Sequence, residues 1–171
     1  MTLRRAFWIS WLGGLVIFAL LRIPHGPLAI AEVPGGILDH QAAMTAAEVD
    51  RIQAAWAAAG LMDHAWWGMV GDFVFIGVYG LGALLGGLLL RREAGFVAAI
   101  GLVVSVAAVA FLVTDYVETI CQFIQLSSSG NDSLAATAAY VQPIKIAAWI
   151  VSFLGLVSGV SLSWWRARSQ V

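Results

Sequence analysis

The stretch WGMVGDFVFIGVYGLGALLGGLLL, Trp67–Leu90, carries a single charge, Asp72. A helix rises 1.5 Å per residue, so roughly 20 apolar residues cross the ~30 Å hydrocarbon core of a bilayer. An apolar run of this length reads as a membrane span rather than as a strand or a core helix of a soluble domain. Three further runs follow the same logic: Phe7–Leu21, Ala94–Thr114 continuing as a more polar helix to Gln125, and about Val141–Trp165. The first is short and needs Trp8, Trp11 and Arg22 to reach the interfaces.

Composition agrees. The chain is 61% hydrophobic and 11% charged, with a formal net charge of −1. A soluble domain carries about 25% charged residues. The missing basic footprint argues against a nucleic-acid partner. A lone cysteine, Cys121, leaves no intramolecular disulfide and no paired-cysteine metal site. The expected fold is all-α: a four-transmembrane-helix bundle with a short amphipathic helix on the outer side. It forms one membrane domain over residues 1–171, with spans near 7–22, 67–90, 94–125 and 141–165 and an outer segment over 24–66.

Arg4 and Arg5 precede the first span, Arg91 and Arg92 separate the second and third, and Arg166 and Arg168 follow the fourth. An even number of spans puts all six on one face, which the positive-inside rule assigns to the cytoplasm. The expected location is the bacterial inner membrane with both termini cytoplasmic. Ala29-Ile30-Ala31 resembles a signal-peptidase site, but the apolar core ends at Arg22, well before it, so no cleavage is expected.

In the outer segment, Pro24–Gly36 is rich in proline and glycine and should run extended or turning. Thr45-Ala46-Ala47-Glu48 then forms a capping-box pattern, in which Thr45 and Glu48 would reciprocally satisfy free amides. A helix from Ala46 to Ala59, ended by Gly60, would carry Val49, Ile52, Trp56 and Ala59 on one apolar stripe. It lies in the headgroup region or covers the mouth of the bundle; the connector reading is the plainer one.

Ionisable residues inside spans are rare and are paired or functional. Four occur: Asp72, Asp115, Glu118 and Lys145. Their positions along the helices place all of them near the outer interface. At 100° per residue, Asp72 shares a face with Tyr79, Gly82 and Gly86. Asp115, Glu118, Gln122 and Gln125 make one stripe, and Lys145 falls in line with Ser152, Gly159 and Ser163. The pattern predicts an outer-facing polar cup, with Asp72, Tyr79, Phe111, Asp115, Glu118, Gln122 and Lys145 as candidate ligand-binding residues. The plainer alternative is an ion-pair network that ties the helices together.

Three functions fit the cup. The preferred one is non-catalytic binding of a small amphipathic ligand or a partner. The second is a membrane-embedded enzyme acting on a lipid or isoprenoid, with Asp115 or Glu118 as acid, Asp72 as base and Lys145 stabilising negative charge. The third is a small transporter or channel subunit, disfavoured because the inner halves of spans two and three offer no polar steps through the midplane. Membrane lipid is the default partner, alongside a possible homo-oligomer or larger membrane complex through Gly82/Gly86 or Gly155/Gly159. The sequence leaves any cofactor unknown. His40 and His64 flank the outer helix and Asp39 adjoins, but without tight ligand spacing no metal is expected. His25, between prolines, carries no signal, Cys121 reads as packing, and Ser127–Asp132 reads as a plain loop.

Ile37-Leu38-Asp39, Asp72-Phe73-x-Phe75-x-x-x-Tyr79, Asp115-x-x-Glu118 and Ile144-Lys145 together resemble a loosely defined group of small bacterial four-span membrane proteins. The resemblance implies an architecture across most of the chain and no particular chemistry. Thr119 departs from the Asn that such sequences often carry after the glutamate.

Overall fold

The computed structural model describes residues 2–169 and is all-α, as expected. Its helices are α1 (Leu3–Leu20), α2 (Arg22–His25), α3 (Ile37–Ala42), α4 (Ala46–Ala58), α5 (Met62–Leu90), α6 (Phe96–Ser127) and α7 (Asp132–Arg168). Four helical runs are long and apolar enough to cross a membrane: Leu3–Leu28, α5, α6 and α7. The first is longer than its apolar stretch suggests. Leu21 keeps helical angles between α1 and α2, and Pro24 sits in the first turn of α2, where no amide donor is needed. α7 likewise starts nine residues before Val141, at Asp132, and carries Pro143 inside it.

The chain packs as two compact units, and each long helix contributes to both. One unit comprises 1–15, 76–113 and 145–171; the other comprises 16–75 and 114–144.

In the first unit the segments of α1, α5, α6 and α7 pack through small residues. Gly14 of α1 lies against the backbone of Tyr79, and Gly82 of α5 against the backbone of Trp11. Gly86 receives Phe7 and Leu156, Gly155 receives Val104, and Gly159 receives Leu90. The glycine pairs of α5 and α7 therefore serve contacts within the chain. Trp11 also packs on Phe153 of α7. Such close approach gives dispersion contacts that an apolar solvent cannot supply by the hydrophobic effect.

In the second unit the segment after α2 makes a 3-10 turn over Gly26–Leu28 and a tight turn closed by Ile30 and Val33. Gly36, at φ +58°, turns the chain into α3, and Asp39 folds back to accept the amide of Gly35 at 2.8 Å. Thr45 caps α4 by accepting the amide of Glu48 at 3.3 Å. The reciprocal half of the capping box is replaced: the Glu48 carboxylate holds Arg51 at 2.7 and 2.9 Å. That pairing draws the Glu48 carboxyl below its usual range, and the Arg51 contact spends the side chain that the box would have turned back to Thr45.

Val49, Ile52 and Trp56 bury the apolar stripe of α4 against Leu28, Val33, Ala43, Ala65 and Ala135. Ala59 is exposed instead of completing the stripe, because it is the C-cap beside Gly60, which takes φ +70°. Buried Trp56 donates its indole N–H to the carbonyl of Leu28 at 2.9 Å.

Adjacent glycines on α1 test the packing. A Cβ at Gly14 would lie 2.6 Å from Tyr79 Cα, whereas at Gly13 the nearest atom is a Val78 methyl at 3.8 Å. Gly14→Ala should lower the thermal midpoint in detergent, with overpacking costing about 1–3 kcal/mol. Gly13→Ala should leave it unchanged or raise it, since alanine favours the helix by roughly 0.5–1 kcal/mol.

Candidate functional site

The predicted cup residues fall in both units. Tyr79, Phe111 and Lys145 belong to the first. There the Tyr79 ring meets Phe111 edge-on at 5.3 Å, and its hydroxyl pairs with Ser152 at 3.1 Å. Ser152 also donates to the carbonyl of Trp149, one turn back in α7. Asp72, Asp115, Glu118 and Gln122 belong to the second unit, and a more extensive polar interior is found there.

Helical spacing on α6 does what the sequence pattern required of it. Asp115, Glu118, Gln122 and Gln125 line one face, each 5% exposed or less, with Thr119 buried beside them. Gln122 donates its side-chain amide to the Glu118 carboxylate one turn back, at 3.1 Å. Apolar residues Val113, Ile120 and Ile124 occupy the exposed side.

α4 closes over this face with a polar contact of its own. The Gln53 amide nitrogen lies 3.1 Å from the Gln125 carbonyl and 3.1 Å from His40 Nε2. A carbonyl only accepts, so the Gln53 nitrogen faces both groups and donates to both. His40 Nε2 is then the acceptor, and the ring proton sits on Nδ1. The imidazole is buried, stacked on Trp56 at 5.3 Å, and burial pushes its pKa down to about 4. His40 is thus a neutral group at ordinary pH.

Two buried donors in this cluster have no acceptor among the described residues: His40 Nδ1 and the Gln125 side-chain amide nitrogen. Buried polar groups are nearly always partnered, and one left bare costs about 1–3 kcal/mol.

The turn between α6 and α7 fastens α4 in place. Asp132 accepts the amide of Ala46 at 2.7 Å, and Asp50 accepts the amide of Gly130 at 2.9 Å. Gly130 also rests against the Ala46 carbonyl, so closely that a side chain there would collide. The segment read from sequence as a plain loop is therefore a clasp. Its partners are 80 and 86 residues away along the chain, a separation that local patterns do not report.

His25 is the residue the sequence reading passed over. Its Nε2 lies 3.4 Å from Asp72, and its ring rests in the notch left by Gly68 on α5. Gly68 and Asp72 stand four apart on one helix face, a signal that something with a ring and a proton packs there. Asp72 therefore faces an imidazole within its own unit. By contrast, His64 is exposed, and Asp39 is engaged by the Gly35 amide. Among the described residues, no group of three or more His, Cys, Asp and Glu is arranged to hold a metal.

Set against known proteins, the chain matches no family model, no curated protein and no solved structure.

The depressed His40 pKa has a stability consequence. An unfolded histidine titrates near 6.5, so above that pH both states are neutral and proton binding does not distinguish them. Between pH 6.5 and about 4 the unfolded chain takes up the proton and the native chain does not, so native stability should fall by roughly 3 kcal/mol as acid is added. Thermal melts at stepped pH should show this loss, and His40→Gln should flatten that part of the profile.

Proposed function

We propose that the chain is an inner-membrane binding protein with both termini cytoplasmic, holding a small amphipathic ligand by its polar head in the second unit, beneath α4. The observation that carries this reading is the pair of buried, unpartnered donors, His40 Nδ1 and Gln125 Nε2, beside the buried stripe of α6. Acceptor oxygens on a ligand head would satisfy these donors. Two bare donors call for acceptors, so a polar head carrying hydroxyl, carbonyl or amide oxygen fits best.

Binding without turnover follows from the state of His40. His40, the one imidazole in the cluster, is held neutral well below its usual pKa. Its remaining proton is therefore a hydrogen-bond donor for binding rather than an acid for turnover at neutral pH. The position of α4 makes it the cover of the site, fixed at its N-terminal end by Asp132 and along its length by Gln53 and Trp56. Entry of a ligand then requires the Gln53 contacts to open while the clasp holds.

Gln125→Leu separates this from a purely structural cluster. The substitution removes the unpartnered donor and a long 3.5 Å contact from the amide of exposed Asn131, which water can replace. It keeps the volume, so the ligand-free protein should be no less stable. Affinity for the ligand should drop up to roughly tenfold, the worth of one buried hydrogen bond. Native mass spectrometry in mild detergent should show a stoichiometric adduct on the wild type and its loss from the variant. An unliganded mass for both, with the variant melting lower, would sink the binding reading and leave a network that only holds helices together.

A further inference from the structure

The first unit carries a second feature at its arginine-rich end. α1, α5 and α7 enclose a groove of about 540 Å³, with Arg4, Trp8, Leu89, Arg92, Ser163 and Trp164 among its lining residues. We propose that this groove is a binding site for an anionic phospholipid, with the head phosphate between Arg4 and Arg92. It is independent of the ligand site proposed above and shares no residue with it.

Three observations point to that occupant. First, the arginines of this end divide by use. Arg166 donates to the Ala94 carbonyl at 3.1 Å, and Arg168 lies over the Trp164 ring at 3.5 Å from its centroid. Arg4 and Arg92 make no ion pair or side-chain hydrogen bond among the described residues. Two guanidinium forks at one groove match phosphate geometry, which takes paired N–H donors in a plane.

Second, Ser163 on the same lining supplies a buried hydroxyl with no hydrogen-bond partner among the described residues. A phosphate or glycerol oxygen would satisfy it. Glu93 is the one acid on the lining, so two positive groups face one negative. That balance favours a head with net negative charge over a zwitterionic one.

Third, the groove is built for an amphiphile rather than for a free ion. Phe7 and Leu90 are buried on its lining, and Phe7 packs onto Gly86, so the lining beneath the arginines is apolar. Trp8 and Trp164 line it beside Arg4 and Arg92, and indoles next to basic residues are what membrane interfaces favour. α1 and α7 touch through Trp11 and Phe153. One turn along from the groove, Leu12 on α1 and Val157 on α7 are exposed, and they offer acyl chains an apolar path.

The test is native mass spectrometry of the full chain in mild detergent, titrated with phosphatidylglycerol or phosphatidylcholine of identical acyl chains. Phosphatidylglycerol should bind as a single preferred adduct. Arg4→Gln and Arg92→Gln should each weaken it roughly fivefold and the double variant about 25-fold, with phosphatidylcholine unchanged. Arg92→Lys should keep most of the preference. Glu93→Gln should strengthen phosphatidylglycerol binding by a similar roughly fivefold factor, a gain that misfolding cannot produce. Arg51→Gln, in the other unit, should change nothing. Equal binding of the two lipids, or wild-type binding by the double arginine variant, would overturn the site. Displacement of the lipid by millimolar inorganic phosphate, with no dependence on acyl chains, would overturn the lipid in favour of a free anion.

Discussion

The polar face of α6 sets the terms for everything around it. A long helix satisfies its backbone groups within itself, so the side chains alone must find partners when they are buried. Between Asp115 and Gln125 every buried position except Cys121 is a carboxylate, an amide or a hydroxyl. Such a face cannot be left against lipid, and an apolar neighbour would leave its donors bare at a cost of about 1–3 kcal/mol each. The neighbours are polar accordingly: Gln53 from α4 and His40 from α3 come to it, and the Gln125 backbone carbonyl is drawn into the same set of bonds.

That requirement explains the outer segment. α4 is amphipathic in two senses. Its Val49, Ile52 and Trp56 face an apolar cluster, while Gln53, one residue on from Ile52, reaches the polar interior. Holding both contacts demands a fixed helix, and the fixing groups are accounted for. Thr45 caps the first turn, Asp132 accepts the Ala46 amide, and Trp56 is tied to the Leu28 carbonyl. His40 is a consequence of the same packing. Stacked on Trp56 and removed from water, it cannot carry a charge cheaply and serves as a neutral donor and acceptor.

The first unit follows a different rule. Its interior is dominated by glycine, alanine and bulky apolar side chains, and close backbone approach replaces polar pairing. Gly14 and Gly82 admit neighbouring backbones, and Tyr79 with Ser152 forms a small polar point among aromatic rings. At the arginine-bearing end the close packing gives way to a groove. The two units thus pair two solutions to helix association in an apolar solvent, glycine contact and hydrogen bonding.

The sequence by itself determined the four membrane-length helices, the buried stripe of α6, the cap and stripe of α4 and the inward glycine face of α5. Each rests on a local quantity, either apolar run length or spacing within one helix, and helical periodicity converts spacing into facing without further information. Only the tertiary structure decided that Asp72 pairs with His25, that Gln53 bridges His40 and Gln125, and that the turn at Gly130 and Asp132 clasps α4. It also decided which arginines remain unpaired at the groove and which are spent on a carbonyl or a ring. The reason is the same in each case. Periodicity fixes the face on which a side chain stands, but its partner comes from a helix 13 to 86 residues away, and the register between two helices is set by how their surfaces interlock.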